Sequence, residues 1–142
     1  MRIGTEIEIA RPPEAVFSYL ADVVNEASWN PWAKSVEKLT EGPIGPGSRF
    51  RGRYKRMGTV EQELVDYQPP QRLSYLSDAM GGAKMLFELE PAGSGTLVRI
   101  AGDMHPTGLM KLAQPMMGAM MRPHLRDVAA GIKRELEAVP SS

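Results

Sequence analysis

The chain has 142 residues, 17 of them Lys or Arg and 17 Asp or Glu, so its formal net charge is zero. That length fits a single domain, residues 1–142, with enough chain to bury a core unaided by staples. The lack of cysteine excludes a disulfide framework and thiolate metal sites. A balanced charge argues against a nucleic-acid binder, which needs a basic face. No run approaches the ~20 apolar residues of a membrane span, and the first residues lack the apolar stretch of a signal peptide. These features fit a cytoplasmic protein.

Residues 3–10 alternate, with Thr5, Ile7 and Ile9 on one side and Glu6 and Glu8 on the other, which predicts a half-buried strand. Arg11-Pro12 ends it. Pro13 then suits the first turn of a helix whose apolar stripe is Val16, Phe17 and Leu20. A second, short helix is expected over residues 25–28, closed by Trp29-Asn30-Pro31-Trp32 because the residue before a proline avoids the α region. Residues 36–39 read as a short strand, and the Gly/Pro-rich run 42–47 as a loop.

Two hairpins follow. With residues 56–58 as a three-residue loop and Gly58 left-handed, Tyr54 falls opposite Val60, and Phe50 opposite Leu64. Arg53 then meets Glu61, and Arg51 meets Glu63, on the other face. This arrangement reads the basic run 49–56 as a salt-bridged sheet surface. After a Pro-Pro turn at 67–71, Leu73, Tyr75 and Ser77 continue the sheet, and residues 80–82 turn again. A loop at 92–95 pairs Phe87 with Ile100, Leu89 with Val98, and Glu88 with Arg99.

The end of the chain reads as helix, with a lead-in over residues 107–113 and a longer helix opening at Pro115. Its apolar face is Met117, Met121, Leu125, Val128, Ile132 and Leu136, and Pro123 is expected to kink it. Ten methionines stand against three phenylalanines, and five of them fall between Met110 and Met121.

The stretch from Ile7 through Arg11-Pro12-Pro13-Glu14-Ala15-Val16-Phe17, followed by Trp29-Asn30-Pro31, resembles the start of the SRPBCC (START-like) superfamily. Gly45-Pro46-Gly47-Ser48-Arg49-Phe50 and Tyr67-Gln68-Pro69-Pro70-Gln71-Arg72-Leu73 resemble its third-strand entry and a later turn. Pro106-Thr107-Gly108-Leu109 and Ile132-Lys133-Arg134-Glu135-Leu136-Glu137 are similar to the polyketide cyclase/dehydrase-like branch. The resemblance spans nearly the whole chain. It implies an α+β helix-grip fold: a seven-stranded curved antiparallel sheet around a long C-terminal helix, with two short helices after the first strand. It also implies a cavity between sheet and helix, because relatives include lipid, sterol and hormone binders as well as aromatase/cyclases.

The inward list drawn from the pairings gives the candidate ligand-binding residues Phe50, Tyr54, Gln62, Tyr75, Met85, Phe87 and Ile100, joined from the helix by Met117, Met121 and His124. For any one of these, ordinary core is the expected role unless a partner or ligand claims it. Gln62 stands out, since an amide on an apolar face needs Tyr54, Tyr75, a water or a ligand as partner. Trp29 and Trp32 either cap the pocket or anchor the small helices. Met116 and Met120 are rotated off the inward stripe and suit a dimer contact or a cavity mouth. His124 could act as an acid/base group. Asp103 and His105 read as a solvated strand end, and neither histidine has a partner at metal-ligand spacing, so no metal is expected.

The expected function is the binding of a small lipophilic or aromatic molecule. The alternative is a cofactor-free cyclase/dehydrase-like enzyme using Tyr54, Gln62, Tyr75 or His124; the third is a protein-interaction module docking through Met116 and Met120. A cavity lined by Gln62, tyrosines and His124 and open to solvent favours the enzyme. A closed, wholly apolar one favours the binder.

Overall fold

The computed structural model describes residues 2–79, 82–105 and 108–138. The elements are β1 (Arg2–Ile9), α1 (Pro13–Ala21), a 3₁₀ turn (Val23–Asn25), α2 (Glu26–Trp29), β2 (Ala33–Lys38), β3 (Arg49–Tyr54) and β4 (Gly58–Gln68). They continue with β5 (Arg72–Ser77), β6 (Ala83–Ala92), β7 (Gly95–Met104), a 3₁₀ helix (Gly108–Ala113) and α3 (Gln114–Ala138). The strands form one seven-stranded sheet in the order β1-β7-β6-β5-β4-β3-β2, antiparallel throughout. With α3 laid across the sheet, this is the helix-grip fold.

The alternation in β1 leaves Ile3 and Ile9 buried and Glu6 and Glu8 exposed, as expected of a strand with one wet face. Pro13 opens α1, and Val16, Phe17 and Leu20 carry its buried stripe. In α3 the stripe Leu125, Val128, Ile132 and Leu136 is almost fully buried. Burying each such side chain contributes roughly 1.5–3 kcal/mol. Most of α3's stability therefore comes from the sheet beneath it. Its C-terminal end is tethered to β1: Lys133 Nζ donates to the Glu8 carbonyl at 2.8 Å, and the Ala10 N–H donates to Glu137 at 2.8 Å.

The second hairpin has the expected register, with Phe87 opposite Ile100, Leu89 opposite Val98 and Glu88 opposite Arg99. The first differs by two residues. Phe50 lies opposite Gln62, Gly52 opposite Val60, and Arg51 opposite Glu61. The loop is residues 55–57, because Arg56 itself takes a left-handed conformation (φ 72°) and Gly58 (φ 71°) opens β4. A shift of two preserves the face of every side chain. The apolar set stays inward, and on the wet side Arg51 bridges Glu61, at 3.7 Å, in place of the expected Glu63. The turn at residues 80–82 lies partly outside the described residues, as do Pro106 and Thr107.

Candidate functional site

A half-open cavity of about 90 Å³ lies between the sheet and α3. Its wall is mostly apolar: Ile3 of β1, Val60 of β4, Met85 of β6, Met104 of β7, and Met121 and Leu125 of α3, with Met57 from the β3–β4 loop. One liquid water occupies about 30 Å³, and pockets for drug-sized ligands run to roughly 300–1,000 Å³. As it stands the cavity admits a small guest. Four of the wall residues are methionines, whose unbranched chains can rotate aside to widen it.

A polar cluster interrupts this apolar wall. Glu26, on the single turn of α2, is buried, and it faces Tyr54 of β3 and Gln62 of β4. The Tyr54 hydroxyl donates to Glu26 Oε1 in a short hydrogen bond, and Gln62 Nε2 donates to the same Oε1 at 3.2 Å. Gln62 Nε2 also donates to the Tyr54 oxygen at 2.6 Å. Asn30 Nδ2 donates to Glu26 Oε2 at 2.9 Å, while its own Oδ1 accepts from the Trp32 N–H at 3.0 Å. Every donor around the carboxyl is neutral. Burial therefore prevails over the hydrogen bonds and raises the Glu26 pKa above the ordinary carboxyl value. Burial, together with the adjacent Glu26, raises that of Tyr54 as well, so its hydroxyl keeps its proton.

Tyr54 reaches this position because Gly52 is a glycine. A Cβ at residue 52 would lie 2.5 Å from the Tyr54 ring and 2.6 Å from its hydroxyl oxygen. The ring folds back over the bare backbone of β3, and the hydroxyl meets Glu26.

The second polar feature is His124 on α3, 7% exposed and on the cavity wall. Its ring stacks on Trp32 at 3.5 Å between centroids and 14° between planes. The Arg56 guanidinium lies 5.5 Å from the same indole, a cation–π contact from the β3–β4 loop. Burial lowers the His124 pKa to about 4, with Arg56 adding to the effect and Asp127 opposing it. His124 Nδ1 is buried and has no hydrogen-bond partner. Such an atom costs free energy until something meets it.

Of the residues expected from sequence, Tyr54, Gln62, Tyr75, Met85, Met121 and His124 are brought together on the cavity wall. The others are not on it. Phe50, Phe87 and Ile100 sit in the packed core instead. Met117 is buried one turn before Met121 and packs against that core. Trp29 anchors α2, its ring edge-on to Phe87 at 6.3 Å, and Trp32 is held off the cavity behind His124. The Tyr75 hydroxyl donates to the Leu20 carbonyl, so it ties the sheet to α1 rather than serving Gln62. His105 is exposed and lies 3.6 Å from Asp103, as a solvated strand end should; Asp103 is half-buried and reaches the cavity wall. Among the described residues no three His, Asp or Glu side chains are grouped to hold a metal ion.

The sequence model of polyketide cyclase/dehydrase and lipid transport proteins matches residues 1–137. The chain belongs to that family. Among curated proteins none matches it. Its fold is similar to that of a protein from Thermus thermophilus (TM-score 0.80, 19% identity, covering 99% of this chain and 100% of that one). It is also similar to an aromatase/cyclase from a Streptomyces species (TM-score 0.75, 18% identity, 96% and 93% covered). A third likeness is to an Aha1 dimer from Colwellia psychrerythraea, solved in solution (TM-score 0.70, 19% identity, 96% of each chain covered). At these identities the likeness is one of fold. No helix among the described residues is long and apolar enough to cross a membrane.

Within this family member the residue that sequence reasoning missed is Glu26. A helix of four residues has no periodicity from which an inward face can be read. The available signal was the spacing of Glu26 and Asn30, four apart and so on one face. The other signal was the unsatisfied demand of Gln62.

Proposed function

We propose that the cavity binds a small lipophilic molecule carrying a carbonyl or hydroxyl oxygen, and that Glu26 and Tyr54 move protons on it in a cyclisation or dehydration. The observation that carries this reading is the buried carboxyl of Glu26, held by Tyr54, Gln62 and Asn30 on a mostly apolar wall. A raised carboxyl pKa makes Glu26 a stronger base than an ordinary carboxylate. The Tyr54 hydroxyl, hydrogen-bonded to Glu26, holds the carboxyl on the wall, and His124 lines the same cavity.

Such a site supports redox-neutral chemistry. In an aldol-type closure Glu26 takes the proton on the carbon beside a carbonyl. That carbon bonds to a second carbonyl carbon, and the resulting alkoxide takes the proton back. In the dehydration that follows, a C–H proton goes to the Glu26 carboxylate, and the carboxyl passes it to the departing hydroxyl, which leaves as water. Holding the two ends together in the cavity lowers the entropic part of the barrier, and proton transfer by a positioned group contributes about 10²–10⁴-fold.

Short β-polyketone and β-hydroxyketone thioesters test the reading, with loss of one water followed by mass spectrometry. Wild type should convert some of them, and Glu26→Gln should bind them as well but convert them at least about 100-fold more slowly. A wild type that binds them tightly and converts none supports the lipophile-binding reading, whose specific support is the methionine-rich wall.

A further inference from the structure

We propose that residues 109–116 form a docking surface for an anionic lipid bilayer, on the segment that leads into the cavity-lining turns of α3. The inference rests on the reading that the cavity takes a lipophilic molecule, and it adds where that molecule enters and leaves.

Leu109, Leu112 and Met116 are 85%, 81% and 75% exposed, the three most exposed large apolar side chains among the described residues. They follow one another along the 3₁₀ helix and the first turn of α3. The same segment is apolar on its inner side too. Ala113 and Met121 pack against the core, and Met117 is buried. A soluble helix normally wets one face. Here the outer face presents leucine and methionine to water directly behind the residues that lead to the cavity wall.

The charge around this face is one-sided. No Asp or Glu occurs from Met104 to Arg126, in a chain with 17 acids. Lys111, Arg122 and Arg126 are all exposed. Lys111 and Arg122 share one surface groove with Leu112, Pro115 and Gly118, and that groove holds no acidic side chain. Apolar side chains that can enter the acyl boundary, flanked by cations that meet phosphate headgroups, are what an interfacial segment needs. A second copy docked through the same face would set cations against cations, so a bilayer fits better than a twofold dimer.

Flotation with vesicles tests this. Wild type should bind vesicles of phosphatidylcholine containing about a third phosphatidylserine, and should bind much less to phosphatidylcholine alone or in high salt. Leu109→Ser/Leu112→Ser/Met116→Ser and, separately, Lys111→Glu/Arg122→Glu should each lower binding at least about tenfold. Both variants should keep the wild-type melting temperature and the uptake of a soluble hydrophobic dye, since they leave the cavity untouched. Binding that ignores phosphatidylserine, or that persists in both variants, overturns the proposal. So does a wild-type dimer in analytical ultracentrifugation that the serine variant converts to monomer, which would assign the face to a second copy. Vesicle binding by a protein that takes up no dye would instead overturn the cavity reading and leave the docking surface standing.

Discussion

Glu26 and His124 face the same cavity, and burial pushes their titrations in opposite directions. For Glu26 the folded pKa is raised above the unfolded one. The folded state holds that proton more tightly, so the contribution is whole at acid pH and is lost as pH rises through the folded value. Glu26→Gln cannot ionise. It should be less stable than wild type near pH 4, where its amide sets a donor against the donors of Asn30 or Tyr54 at a cost of about 1–3 kcal/mol. The deficit should shrink in thermal melts as pH rises; a deficit that grows with pH would mean Glu26 is ionised in the fold throughout. For His124 the folded pKa falls from 6.5 to about 4, so its contribution is complete above 6.5 and is lost as pH falls through about 4. His124→Phe keeps the stack on Trp32 and cannot charge. Its melting temperature should fall less than that of wild type between those two pH values. An NMR midpoint for His124 near 6.5 would contradict the burial argument.

Gly52 is the positioning residue of the site, acting through Tyr54. Gly52→Ala places a methyl group 2.5 Å from the Tyr54 ring, and the ring, as the mobile partner, swings off Glu26. The fold should lose about 1–3 kcal/mol. Any proton-transfer activity should drop about 100-fold. Tyr54→Phe should cost a similar factor. The double variant should be no worse than either single one, because both remove the same hydroxyl from the same carboxyl. Additive losses would show that Gly52 acts elsewhere.

At the scale of elements, the faces of strands were legible in the sequence and one register was not. Period-two alternation assigns Phe50, Tyr54, Val60, Gln62 and Leu64 to one side, whatever the loop does. The loop position turned on which residue accepts a positive φ. Residue preference points to Gly58 alone, yet Arg56 adopts one too, and the pairing moves by two. The α3 stripe was legible because 25 residues give many turns of repeat. The four residues of α2 give one turn, which is why Glu26 escaped notice while its partners Tyr54 and Gln62 did not. How closely α3 approaches α2 was equally invisible. A Cβ at Gly131 would lie 2.1 Å from the Trp29 carbonyl oxygen, so only glycine lets the long helix rest on that backbone. Gly131→Ala meets main chain rather than a movable side chain. It should cost about 3 kcal/mol in urea unfolding, and a cost under about 1 kcal/mol would mean the two helices can part without loss.

Over the whole molecule, stability is unevenly placed, and the site lies at the boundary. The C-terminal half of α3 is buried along Val128, Ile132 and Leu136 and bonded to β1, whereas residues 108–113 bury no side chain, carry exposed leucines, and lead to Met121 on the cavity wall. A segment with few buried side chains and unfavourable apolar exposure opens at a smaller cost than the global unfolding free energy. Amide hydrogen exchange should therefore be faster across 108–121 than across 125–136 or the paired strands β6 and β7. The β3–β4 loop belongs to the same boundary, since Met57 lines the cavity and Arg56 covers Trp32. A lipophilic guest that fills the cavity should slow exchange in 108–125 and 55–57 together and leave β6 and β7 unchanged. If a bound guest protected all regions equally, it would be stabilising the fold as one unit. The cavity would then open only on global unfolding, leaving α3 no part in admitting the ligand.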